Sequence, residues 1–371
     1  MSFVYIKSNF VFVSNIRGIS FAFYKTRPEL KARTYTFTLF YMWLDVSVFA
    51  ISCNDILRDG SIKDFSRDDL ITLSSSTPQQ LETCLFLLGK DEIDFGRANI
   101  LWTTIKQVYG SVEDIPEDTL KQLGWIISGI TADDFYNISI SDIDTVSVFG
   151  IYRNLSLQQL TALKQTTENQ WSRKGPEQLT SYDLVALRQI LCAFNDSEIG
   201  AIHSDSYRDA ANELATLYNC PKSALIQLVN LATDETAFGK PQNWNAIQVT
   251  SIGCVMAGLS SAAAIPAESM EGITPEIVKC LPSSFIKTMS ESQLQHFTTS
   301  AASALSSSQQ NVLTSDQKYA LELAVKGLRY MKRSLSENLH SRFFQGKALH
   351  KTPKQLNWCS TLNLSPDDCQ D

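Results

Sequence analysis

His203, Ser204 and Asp205 are the three residue types of a nucleophilic triad, set in consecutive positions. A triad needs a base that takes the nucleophile's proton and an acid that orients the base. Geometry supplies this by bringing side chains together, and chain neighbours do not form it by being adjacent. No G-x-S-x-G turn accompanies these residues, and the sequence holds no G-x-G-x-x-G, Walker loop or H-E-x-x-H helix. The acid pairs Asp68-Asp69 and Asp133-Asp134 are types suited to general acid–base work. Both pairs instead follow Ser66 or Thr131 at the spacing of a helix cap, where acids satisfy the first turn and its dipole. The four histidines, His203, His296, His340 and His350, do not fall at zinc-ligand spacing with the eight cysteines, and no C-x-x-C pair exists. Trp102, Trp125, Trp171, Trp244 and Trp358 read as packing residues and not as a base-stacking platform. A net charge of −7 and a pI near 5.3 argue against a nucleic-acid partner. The basic stretch Lys326, Arg329, Lys332, Arg333, Arg342, Lys347, Lys351 and Lys354 reads as a solvated last helix and tail. The expectation is a protein that is not an enzyme and holds neither cofactor nor metal.

Two kinds of covalent chemistry remain. The cysteines group by neighbourhood as Cys53 with Cys84, Cys192 with Cys220, Cys254 with Cys280, and Cys359 with Cys369, separations that suit bridges between adjacent helices. The competing reading takes Cys192 and Cys254, which lie inside apolar runs, as small buried hydrophobes. Asn137, Asn154 and Asn195 each begin an Asn-x-Ser acceptor, which has meaning only if the chain enters the secretory pathway. A fourth, at Asn363, is weakened by Pro366.

The elements that carry these residues are marked by a recurring phrase. An apolar residue precedes Ser or Thr, two variable residues follow, then an Asp or Gln, then another apolar residue. It reads Phe65-Ser66-Arg67-Asp68-Asp69-Leu70, and it returns around Thr131, Ser156, Thr180 and Ser290. Looser copies start at Ile273, Leu305, Leu313, Leu335 and Leu364. The hydroxyl accepts from a free N–H of the first turn, the acid or amide reaches back, and the apolar pair staples the entering chain. Many short helices, each stopped and restarted, are therefore expected.

A second repeat supports this. Leu123-Gly124-Trp125-Ile126-Ile127-Ser128-Gly129-Ile130-Thr131 parallels Ile252-Gly253-Cys254-Val255-Met256-Ala257-Gly258-Leu259-Ser260. The terminal glycines Gly129 and Gly258 are expected at helix C-termini in the left-handed conformation, and the earlier ones at close helix approaches. Asn195 is expected to replace the terminal glycine in a third copy. The breaks at Gly129, Asn195 and Gly258 lie 66 and 63 residues apart, and Ser290 follows 32 after Gly258, so the unit is about 32 residues. The fold class expected is all-α, a superhelical stack of short helices of the armadillo/HEAT type, an α-solenoid.

Three segments follow. Residues 1–53 are aromatic and β-branched. Lys25, Arg27, Lys31 and Arg33 precede an apolar run from Tyr35 to Ile51, interrupted by Asp45 and ending in Ala50-Ile51-Ser52. That is a signal-like outline; a membrane anchor, or an N-terminus that is not native, are the other readings, and a folded domain is not expected there. Residues 54–330 form the helical repeat region, and residues 331–371 a basic helix and polar tail.

Within the repeat region, Pro241-Gln242-Asn243-Trp244-Asn245 leads into the Gly253–Ser260 block. Gly272-Ile273-Thr274-Pro275-Glu276-Ile277-Val278-Lys279-Cys280-Leu281-Pro282 and Met289-Ser290-Glu291-Ser292-Gln293-Leu294 follow. This succession resembles the mesothelin, stereocilin and otoancorin family over roughly residues 60 to 330. The resemblance implies a helical superhelix displayed at the cell surface or outside the cell, working in adhesion, with an extracellular glycoprotein, mucin or matrix component as partner. It also implies a C-terminal lipid anchor, from which the polar ending Ser360–Asp371 departs. Secretion, an incomplete sequence, or attachment through the N-terminal apolar segment are the readings left open. The alternative function is an intracellular helical-repeat scaffold for protein interaction.

Overall fold

The computed structural model describes residues 3–7, 10–14, 50–171 and 173–328. It falls into two units, residues 1–49 and residues 50–371. In the first unit, Phe3–Lys7 and Phe10–Ser14 pair as antiparallel strands, with Phe3 opposite Ser14 and Lys7 opposite Phe10. The basic flank and most of the apolar run from Tyr35 lie outside the described residues, as does the Cys359–Cys369 pair.

In the second unit, every described element is helical, and most helices are only one to three turns long. Their boundaries follow from their caps. The hydroxyls of Ser66, Thr131, Ser156, Thr180 and Ser290 each accept from the N–H three residues on, at the N-cap of the helix that follows. Thr274, Ser306 and Thr314, in the looser copies, do the same. Isolated helices this short are marginal in water, so packing must hold them. The apolar positions, from Ile56 to Ala324, supply it as one run of buried side chains that includes Trp102 and Trp244.

Packing partners are close in sequence. Phe95–Tyr109 lies on the 3-10 helix Gly124–Gly129, and Lys222–Thr233 lies on the 3-10 helix Gly253–Gly258. These two contacts are equivalent in the repeated blocks, and they explain the glycines. A Cβ on Gly129 would stand 2.2 Å from the Ala98 carbonyl carbon, and one on Gly258 would stand 2.1 Å from the Leu225 oxygen. The terminal glycines therefore permit close approach and are not left-handed. Positive φ lies instead at the earlier glycines, Gly124 (51°) and Gly253 (54°), where the chain leaves one helix and enters the 3-10 turn. The left-handed cap expected at Gly129 and Gly258 is thus corrected.

The third copy is also corrected. It runs Leu187-Arg188-Gln189-Ile190-Leu191-Cys192-Ala193-Phe194-Asn195, so Arg188 occupies the positive-φ position (φ 38°) and Ala193 the close-approach position. Asn195 matches Thr131, not Gly129. It has φ −81° and caps Asp196–Gly200, accepting from the Glu198 N–H at 3.0 Å.

Candidate functional site

The recurrent polar feature among the described residues is a Gln, Asp or Glu side chain three residues after many of the N-caps. At Gln159, Oε1 accepts from the Ser156 N–H at 2.9 Å, closing the cap. Its Nε2 donates to the carbonyls of Ser128 (3.1 Å) and Ile130 (2.7 Å), about one repeat earlier. Gln293 closes the Ser290 cap and donates to Ala262 and Ile265 at 2.8 and 2.7 Å. Gln309 donates to Val278 and Leu281 at 2.8 and 2.7 Å, and Gln317 to Lys287 and Met289 at 3.2 and 2.7 Å. All four glutamines are buried. Each thus satisfies backbone groups at the start of one helix and at the end of an earlier one or in the turn that follows it, which would otherwise be costly buried orphans.

An acid at this position has no donor, and its surroundings differ accordingly. Asp134 Oδ2 accepts from Trp102 Nε1 at 2.7 Å and from Lys106 Nζ at 2.8 Å, both on the preceding long helix. Glu198 accepts from Lys164 Nζ at 2.7 and 2.8 Å. Asp183, itself buried, closes the Thr180 cap and pairs with Lys174 at 2.9 Å. Burial alone would raise the carboxyls of Asp134 and Asp183. Hydrogen bonds and the nearby lysines, Lys106 and Lys174, outweigh that and hold both below the ordinary carboxylate range. Sequence reasoning found the caps but missed their second partners. The signal was available: the choice of Gln over Glu adds two donors that a capping box alone does not use.

Covalent links follow the same spacing. Cys53–Cys84, Cys192–Cys220 and Cys254–Cys280 are disulfides, spanning 31, 28 and 26 residues. Cys192 and Cys254 are buried as well as bonded. In the aligned blocks Trp125, Gln189 and Cys254 are equivalent, and each reaches forward by a similar distance through different chemistry. The Arg153 guanidinium lies 5.1 Å over the Trp125 ring, Gln189 Nε2 donates to the Tyr218 carbonyl, and Cys254 bonds Cys280.

The remaining candidates are dispersed. Asn137, Asn154 and Asn195 are all exposed. Asn137 Nδ2 donates to the Asp133 carbonyl at 3.3 Å; Asn154 stands at φ 56° and accepts from the Tyr152 hydroxyl at 3.1 Å. His203 is the N-cap residue of Ser204–Leu214, and no hydrogen bond joins the side chains of His203, Ser204 and Asp205. Among the described residues no group of His, Cys, Asp or Glu is placed to hold a metal ion. No helix among them is long and apolar enough to cross a membrane.

Over 241 residues, 63% of its length, the chain is 27% identical to otoancorin of Mus musculus, of which the match covers 21%. It is 27% identical over 274 residues, 72% of its length, to stereocilin of Homo sapiens, of which 14% is covered. The relatives of this chain are the mesothelin-like proteins. No family model matches the sequence. The chain spans about a fifth or less of the length of these curated relatives. Among the described residues the chain carries its polar groups in caps and links between helices, and not in a cluster at one site.

Proposed function

We propose that this chain is an extracellular or cell-surface adhesion protein. Its helical units stack as a solenoid, and its partner is a glycoprotein, mucin or matrix component. The observation that carries this reading is the set of three disulfides, each joining chain segments about one repeat apart, since such bonds persist in oxidising compartments. The likeness to otoancorin and stereocilin supports the same direction. The solenoid is supported by short reach: side-chain hydrogen bonds between helical segments mostly span some 21 to 35 residues, as with Lys121–Asp142 and Arg97–Ile62. In such an array each unit contacts its neighbours, and successive units build a long surface. Binding is spread over that surface and no turnover is involved.

The full chain, exported from mammalian cells and immobilised, tests this. Retention of cells or of extracellular glycoproteins, lost in steps as adjacent repeats are deleted, is the expected result. Free thiols in the natural protein, together with no retention, would favour an intracellular scaffold instead.

A further inference from the structure

Beside Asn154 lies an open groove of about 690 Å³, lined by Phe95, Ile130, Thr131, Ala132, Asp133 and Leu155, with Asn154 and Ser156 at its edge. Phe95 is 62% exposed, an aromatic ring presented to solvent. Asn154 is held in place. Tyr152 donates its hydroxyl to the Asn154 Oδ1, Asn219 Nδ2 donates to the same hydroxyl at 3.2 Å, and the Tyr218 ring lies 5.0 Å from the Tyr152 ring. The Asn154 oxygen is therefore engaged, while Nδ2, the atom that takes sugar, has no hydrogen-bond partner among the described residues. The other two acceptors are arranged differently. Asn137 spends Nδ2 on a carbonyl; Asn195, whose Oδ1 accepts in its helix cap, also leaves Nδ2 without a partner among the described residues, but neither residue lines this groove.

We propose that Asn154 is N-glycosylated and that the first sugars of its glycan occupy this groove against Phe95. The inference rests on the extracellular reading above. Transfer from a lipid-linked oligosaccharide diphosphate in the secretory pathway forms the Nδ2–C1 bond and breaks the C1–O bond to the diphosphate. It releases the lipid diphosphate and one Nδ2 proton, with no oxidation or reduction. The groove falls in the size range of small-ligand sites, and its mix of one aromatic face with polar edges suits a pyranose. The apolar C–H face of the sugar lies on the ring, and Thr131 and Asp133 meet its hydroxyl and amide groups. The Ser156 cap is closed by Gln159 and Asn154 makes no bond in it, so the glycan does not disturb that cap.

The full chain exported from mammalian cells is the material for the test, with glycopeptide mass mapping and amide exchange as readouts. Asn154 is expected to carry glycan. Enzymatic removal of the glycan, or Asn154→Asp, which tolerates the same backbone, should speed exchange at residues 131–133 by about threefold or more. Phe95→Ala should produce the same increase with the glycan still attached. Glycan on Asn137 or Asn195 with Asn154 bare would overturn the proposal and leave the extracellular reading standing. Exchange that does not respond to glycan removal would overturn the groove assignment. A chain with no glycan and reduced cysteines would overturn both.

Discussion

The hydroxyls of Thr131 and Ser290 cap their helices alike, yet the residue three positions on reaches earlier parts of the chain by opposite chemistry. Asp134 is a pure acceptor and meets a lysine and an indole N–H; Gln293 uses its amide donors on two backbone carbonyls. The first arrangement predominates between residues 131 and 198 and the second between 290 and 317, with Gln159 the glutamine set among the acids. One structural task is met by an ionic solution in one region and a neutral one in the other. The ionic solution requires cations at the right place on a neighbouring helix, whereas the neutral one requires only backbone, which every unit possesses. The neutral solution is accordingly the one that recurs with the same geometry.

The largest effects are expected where backbones touch. Gly258→Ala should cost about 3 kcal/mol, because the new Cβ meets the Leu225 carbonyl and the neighbouring helix cannot retreat without moving its own contacts. Ala193, at the equivalent position of the third copy, already carries that Cβ, so Ala193→Gly should have a far smaller effect in denaturant unfolding. Next comes Asp134→Asn. It places an amide against the Trp102 N–H and the Lys106 ammonium, and a loss of about 2 kcal/mol is expected in the same measurement. Gln293→Asn, which keeps the chemistry but shortens the reach, should lose the carbonyl bonds only, about 1 to 2 kcal/mol.

Acid should separate the two regions. The carboxyls of Asp134 and Asp183 lie below their ordinary value, so the stability they contribute is present above about pH 4 and is lost as pH falls through the lowered values. Glutamine does not titrate. Protection against amide exchange, corrected for the intrinsic pH dependence, should therefore fall at residues 131–140 and 180–190 as pH drops below about 4, before it falls at residues 290–320. Equal loss of protection would break the comparison. The smallest effect is a gain. Arg188 holds a positive φ where Gly124 and Gly253 stand in the other copies, and Arg188→Gly should stabilise by about 1 kcal/mol despite loss of its Glu213 pair. Calorimetric melting of the single variant checks it.

The helix starts were legible because a cap is local chemistry: hydroxyl, spacing and partner all lie within four residues, as at Ser66 and Thr180. The role of Gly129 was not legible, since a glycine that permits approach and one that permits positive φ are the same letter. Only the identity of what lies 2.2 Å away, on a helix some thirty residues earlier, separates them. Asn195 was misplaced by two positions for a related reason. Asn suits both a left-handed cap and a helix N-cap, and Arg188 hid the register by standing where the other copies have glycine. The disulfide grouping by neighbours follows from the architecture itself, because helices about one repeat apart pack together and bring Cys192 to Cys220 and Cys254 to Cys280.

The central claim is that the capping glutamine is also the link between units, and one substitution at two sites isolates it. Gln80 closes the Thr77 cap as Gln293 closes the Ser290 cap, at 2.9 and 2.8 Å, but Gln80 is exposed and makes no bond to another unit. Glutamate keeps the accepting oxygen at both sites and removes the donors. Equilibrium unfolding of Gln293→Glu and Gln80→Glu should show a loss of about 3 kcal/mol for the first, where a carboxylate faces the carbonyls of Ala262 and Ile265, and a change within about 0.5 kcal/mol for the second. Equal losses at the two sites would mean that the glutamine acts as a cap alone, and the account of how the units are joined would be wrong.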